Sequence, residues 1–105
     1  MAEVYLHNMN PMEQFRWEIC GLEREYPLEK HNYDARILIL ASWSSWILAM
    51  IDETHVATNR RAKNWCRKFY CAARQICNWD LLDRKGMPER MLQVCVAFHR
   101  CKGLV

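Results

Sequence analysis

The apolar positions of the chain fall into four stretches, each with helical spacing. In the first, Met12, Phe15, Ile19, Leu22 and Tyr26 recur three or four residues apart, while Glu18, Glu23 and Glu25 stand off that stripe. The words "NPME" suit a helix start: Asn10 caps, Pro11 takes the first helical position, and Glu13 completes a capping box. Tyr26-Pro27 closes the stretch, because the residue before a proline avoids helical backbone angles. The pattern predicts a helix over residues 11–26.

The second stretch, "ILILASWSSWILAMI" at 37–51, holds no charge and is bounded by Arg36 and Asp52. Capped by Asn32 or Asp34, it predicts a helix running to about Glu53. Its fifteen residues, three of them serine, fall short of the roughly 20 apolar residues that cross a bilayer, so a buried core helix is expected rather than a membrane span. Apolar side chains lie nearly all round it, and such a helix must be covered on more than one side. Either it sits at the centre of a bundle or it forms an oligomer interface, and in so short a chain self-association is expected, with a homodimer as the assembly.

A third helical period starts near Val56 and continues to about Asp83. Gly86 is its terminator, Pro88 lies just beyond, and a break near Asn78 is allowed by the weak helix formers Asn78 and Asp80. Pro88-Glu89 opens a last short helix, with Met91, Leu92, Cys95, Phe98 and His99 on one broad face and a stop before Gly103. Only three glycines and three prolines interrupt 105 residues, too few for the tight turns of an all-β domain. The expectation is one all-α domain over residues 1–105, a small bundle of about four helices, one of them long, basic and amphipathic.

Charge changes that picture. Residues 1–53 carry four basic and nine acidic side chains, residues 54–79 carry six and none, and residues 80–105 carry five and three, so a net +3 hides one strongly positive segment. Within "NRRAKNWCRKFYCAARQICNW", at 100° per residue, Ala62, Trp65, Phe69, Ala72, Ala73 and Ile76 share one face. Arg60, Lys63, Arg67 and Arg74 fall on the opposite face with Asn64, Cys71 and Asn78, and Arg61 and Lys68 lie at its edge. Surface helices usually mix signs so that i,i+4 pairs form. Here no carboxylate on the same helix can neutralise six cations, so the offset must come from the acidic N-terminal half, from a second copy, or from an external anion.

A rigid row of cations suits successive phosphates, and Asn64 can hydrogen-bond sugar hydroxyls or phosphate oxygens. Arg60, Arg61, Lys63, Asn64, Arg67, Lys68 and Arg74 are therefore the candidate nucleic-acid-binding residues, with duplex RNA favoured over DNA. Single strands are disfavoured, because Trp65 and Phe69 lie on the core face instead of offering a stacking platform.

The words "NRRAK", then "W" and "RK", resemble the recognition-helix signature of homeodomains. That resemblance implies Asn59 as a reader of adenine, with Arg61 and Lys63 in support. It covers about ten residues of 105. The chain departs from it at Val56, Ala57 and Thr58, where the family has an aromatic pair, and at an inserted Asn64. In plan alone, the chain also resembles the small helical viral suppressors of RNA silencing, dimers that bind double-stranded RNA along basic helices. The chain's high tryptophan, cysteine and methionine content with little glycine is compatible with a small viral accessory protein.

Of the six cysteines, Cys66, Cys77 and Cys95 lie beside apolar faces, as buried cysteines commonly do. Cys95, His99 and Cys101 are weak candidates for a zinc site, completed by Cys66 or Cys77, in a chain without a C-x-x-C knuckle. Cys71 lies among the cations of the basic face, where a thiolate is favoured. No glycine-rich phosphate loop, carboxylate pair or hydrolase elbow occurs, so neither an enzyme nor a cofactor is expected. The N-terminus "MAEVYLHNMNPMEQ" lacks the basic start and apolar run of a secretory signal. The expected location is intracellular, in the cytoplasm, with free thiols. The alternative function is a helical protein-interaction adaptor with a structural zinc.

Overall fold

The computed structural model describes residues 11–27, 29–77 and 89–105. Among these the chain is all-α, with no strand. Helix α1 spans Pro11–Cys20 and α2 spans Leu22–Glu25; α3 is Tyr33–Glu53, α4 is Arg60–Cys77 and α5 is Glu89–Lys102. Single 3₁₀ turns at Lys30–Asn32 and Val56–Thr58 lead into α3 and α4. Helix α3 packs on both α4 and α5, α4 packs on α5, and α1 lies across α3 and α4.

The single N-terminal helix predicted over 11–26 is divided. Gly21 sits between α1 and α2, and its N–H still donates to the Trp17 carbonyl at 3.1 Å, but the Arg24 and Glu25 N–H groups both return to the Gly21 carbonyl. The backbone is so close here that a Cβ on Gly21 would stand 2.6 Å from the Trp17 oxygen. A glycine is required for this approach, not for an unusual φ, which is −84°.

Helix α3 begins where expected, after Asn32, but the cap works differently. The Asn32 amide donates to the Pro27 carbonyl at 2.8 Å and so holds the preceding turn, and it makes no side-chain bond to the helix. At the entry to α4 the predicted continuous helix from Val56 is again divided. Val56–Thr58 forms its own turn, and Asn59 caps α4 by accepting from the Ala62 N–H at 3.0 Å. The expected run on to Asp83, the break at Asn78 and the terminator Gly86 lie outside the described residues. Helix α5 starts at Glu89 and ends before Gly103, as its sequence predicts.

One core joins the helices. Phe15, Leu22, Leu40, Ile47, Phe69, Ile76, Met91 and Val94 are almost wholly buried within it, each large apolar side chain contributing roughly 1.5–3 kcal/mol. An aromatic chain runs through it: Phe15 meets Trp43 and Trp46 at 5.3 Å, and Trp46 meets Trp65 at 5.6 Å. The Trp43 indole N–H is satisfied by the Glu18 carboxylate. On α5 the inward face is Met91, Val94, Ala97, Phe98 and Cys101. Leu92, expected on that face, is instead 55% exposed, and His99 is exposed too. Helix α5 contacts both α3 and α4, and the stripe it buries there includes Val94 and leaves out Leu92.

Arg36, which marks the charged boundary of the apolar stretch in the sequence, is 0% exposed. Its guanidinium donates to the Tyr26 carbonyl at 2.8 Å, to Gln75 Oε1 at 2.8 Å and to Glu23 Oε1 at 3.1 Å. It thereby ties the end of α2 and the start of α3 to the far end of α4, each partner offsetting part of the desolvation of a buried charge.

Candidate nucleic-acid interface

Helix α4 owes its two faces to its sequence. Ala62, Cys66, Phe69, Ala73 and Ile76 are buried, with Trp65 and Ala72 half-buried against the same core. Arg60, Arg61, Asn64, Arg67, Cys71 and Arg74 are exposed, and Lys63 and Lys68 are partly so. Every candidate binding residue is thus brought onto solvent-facing parts of one helix. From Arg60 to Arg74 the row extends about 21 Å at 1.5 Å per residue.

None of the six cations forms an ion pair among the described residues. Five carboxylates of the acidic half are engaged elsewhere: Glu23 on Arg36, Glu18 on Trp43, Asp52 on Arg100 at 2.8 Å, Glu25 on Arg24 and Glu29 beside His31. Direct ion pairing of the stripe within the described fold is not realised, although Glu53 shares a pocket with Arg61 and Glu23 a groove with Arg67 and Lys68. Mutual repulsion along α4 is left to solvent, to counterions or to a partner.

Two depressions flank the row. A cleft of about 580 Å³ is lined by Ala57, Thr58, Arg60, Lys63, Asn64 and Arg67, where the 3₁₀ turn meets the start of α4. Its walls carry three cations and no carboxylate, and the adjoining helix end adds a positive partial charge. On the other side Arg67, Lys68 and Cys71 border a groove of about 410 Å³ shared with Ile19, Cys20 and Glu23.

The homeodomain-like reading of Asn59 meets a different geometry. Its carbonyl-type Oδ1 is occupied as the α4 cap, so the group that would recognise adenine is already committed to the backbone. Tyr70, at the border of the basic face, stacks on Phe98 with ring centres 5.1 Å apart and planes 6° from parallel, and belongs to the α4–α5 contact.

The zinc candidates are not brought together. Cys95 lies against Cys77, with sulfurs 3.8 Å apart, Cys101 is buried beside Cys66 in the core, and His99 is exposed with its ring edge to Phe98. Among the described residues no group of three His, Cys, Asp or Glu side chains is placed to hold a metal ion. Residues 99 and 101 are some 200° apart on a helix, which separates His99 from Cys101. Both cysteine pairings join α4 to α5, and no local spacing in the sequence announces them. Burial together with the neighbouring Cys95 pushes the Cys77 thiol up to about 12. The neighbouring Cys66, with burial, holds the Cys101 thiol well above its usual value.

No family model, curated protein or solved structure matches the chain.

Proposed function

We propose that the protein is a non-enzymatic, cytoplasmic nucleic-acid-binding protein that grips duplex RNA through α4 without reading its sequence, as a homodimer of helical bundles. The observation that carries this reading is the row of six exposed or partly exposed cations, none of which forms an ion pair among the described residues. Arg60, Lys63, Arg67 and Arg74 meet successive phosphates, Arg61 and Lys68 add charge at the edges, and Asn64 reaches a phosphate or a 2′-hydroxyl. Sequence-independence follows from the face itself. It is rich in charge, the Asn59 amide oxygen is held in a helix cap, and its aromatics are turned inward.

Helix α3 supports the dimer. It is long and apolar enough, by length and composition, to cross a membrane, yet 44% of its most apolar window is buried in the protein. Leu38, Ser42, Ser45 and Ala49 form an exposed row of mostly small side chains, suited to close approach by a second copy. A twofold axis there would place two basic helices on one duplex.

A mobility-shift titration with double-stranded RNA, double-stranded DNA and single strands at two salt concentrations tests the proposal. Binding to duplex RNA that weakens with salt, and that is lost in the R60Q/R67Q/R74Q variant at unchanged helicity, is the expected result. Indifference to all three nucleic acids would shift weight to the adaptor reading, which draws on the exposed Trp17, Leu38, Leu92 and Val96.

A further inference from the structure

We propose that Cys77 and Cys95 form a modification site, a dithiol that a peroxide converts to a disulfide linking α4 to α5. The two sulfurs are 3.8 Å apart across the α4–α5 contact. A disulfide needs about 2.05 Å between sulfurs, so the two must close by less than 2 Å from where they stand. Both residues are half-buried, so an oxidant of peroxide size can reach the pair while the core around it holds the partners together.

The other thiols sharpen the assignment. Cys66 and Cys101 also bridge α4 and α5, but both are 0% exposed, which closes them to solutes. Cys20 and Cys71 are exposed and border the same groove, yet no sulfur contact joins them among the described residues. Accessibility and a waiting partner coincide at Cys77 and Cys95.

The two thiols are interchangeable in the step, and Cys95 serves as the one that meets the oxidant first. Its sulfur attacks one peroxide oxygen, an S–O bond forms as the O–O bond breaks, and the first water leaves. The Cys77 sulfur then attacks the Cys95 sulfenic acid; the S–S bond forms, the S–O bond breaks, and the second water leaves. Two thiols lose two protons and two electrons, and one hydrogen peroxide becomes two waters. The product closes a loop of about 19 residues and restricts the unfolded chain.

The test is peptide mapping of the full-length reduced protein after brief exposure to hydrogen peroxide and blocking of the remaining thiols, without reduction. A peptide joining Cys77 to Cys95, about 2 Da lighter than its two parts and separated again by dithiothreitol, is expected. The oxidised protein should melt about 5 °C or more above the reduced one, and C95S should abolish both effects while C66S leaves the cross-link in place. The map is read on the unaltered chain, so it does not depend on either variant folding. Free or over-oxidised Cys77 and Cys95 while Cys20 and Cys71 react, or a Cys66–Cys101 cross-link forming first, would overturn the assignment.

Discussion

Arg36 is the residue on which most separate parts of the fold converge. It is fully buried, and its three partners come from the end of α2, from Glu23 and from α4. Arg36→Ala leaves the Tyr26 carbonyl and Gln75 without their donor and opens a cavity, while the mostly exposed Glu23 is rehydrated. The expected cost is about 3 kcal/mol, checked by urea denaturation. Gly21→Ala meets a backbone oxygen that cannot swing aside and should cost about 2 kcal/mol, whereas an ordinary glycine-to-alanine change in a helix stabilises. Asn59→Ala removes the α4 cap and should cost about 1 kcal/mol. Its effect on RNA affinity should be the same for unrelated duplex sequences. A loss confined to particular sequences would restore the base-reading role to Asn59.

At the scale of elements, the sequence is most informative where one helix decides its own faces. The segregation of Arg60, Lys63, Arg67 and Arg74 from Ala62, Phe69, Ala73 and Ile76 is a matter of helical period, and the structure keeps it. The apolar α3 is legible for the same reason. What stays hidden depends on distant partners. Arg36 looks like a boundary charge because Gln75, the group that lets it be buried, lies 39 residues away. The buried face of α5 includes Val94 and excludes Leu92 because α3 and α4 together choose it. The Gly21 break interrupts a periodic stripe without disturbing it, so periodicity carries no trace of it. The pairings of Cys77 with Cys95 and Cys66 with Cys101 arise from α4–α5 packing, not from motif spacing.

For the whole molecule, the proposed function joins the unpaired basic helix to the partly covered apolar helix in an assembly that would present cations in duplicate to a long polyanion. Ser45 is exposed on α3, so Ser45→Arg places charge in the proposed dimer seam without touching the core. Sedimentation equilibrium should give twice the 12.6 kDa chain mass for the unaltered protein and the chain mass for the variant, with weaker duplex binding alongside. A monomeric unaltered protein would remove the dimer from the account.

Whether α4 grips duplex RNA is decided by the salt dependence of the affinity, measured for the unaltered protein and for R60Q/R67Q/R74Q. With all six cations of α4 engaged, the log of the binding constant should fall against the log of salt concentration with a slope of about −5, and removing three should roughly halve it. No binding at low salt, a salt-independent affinity, or the same slope in both proteins would contradict that grip.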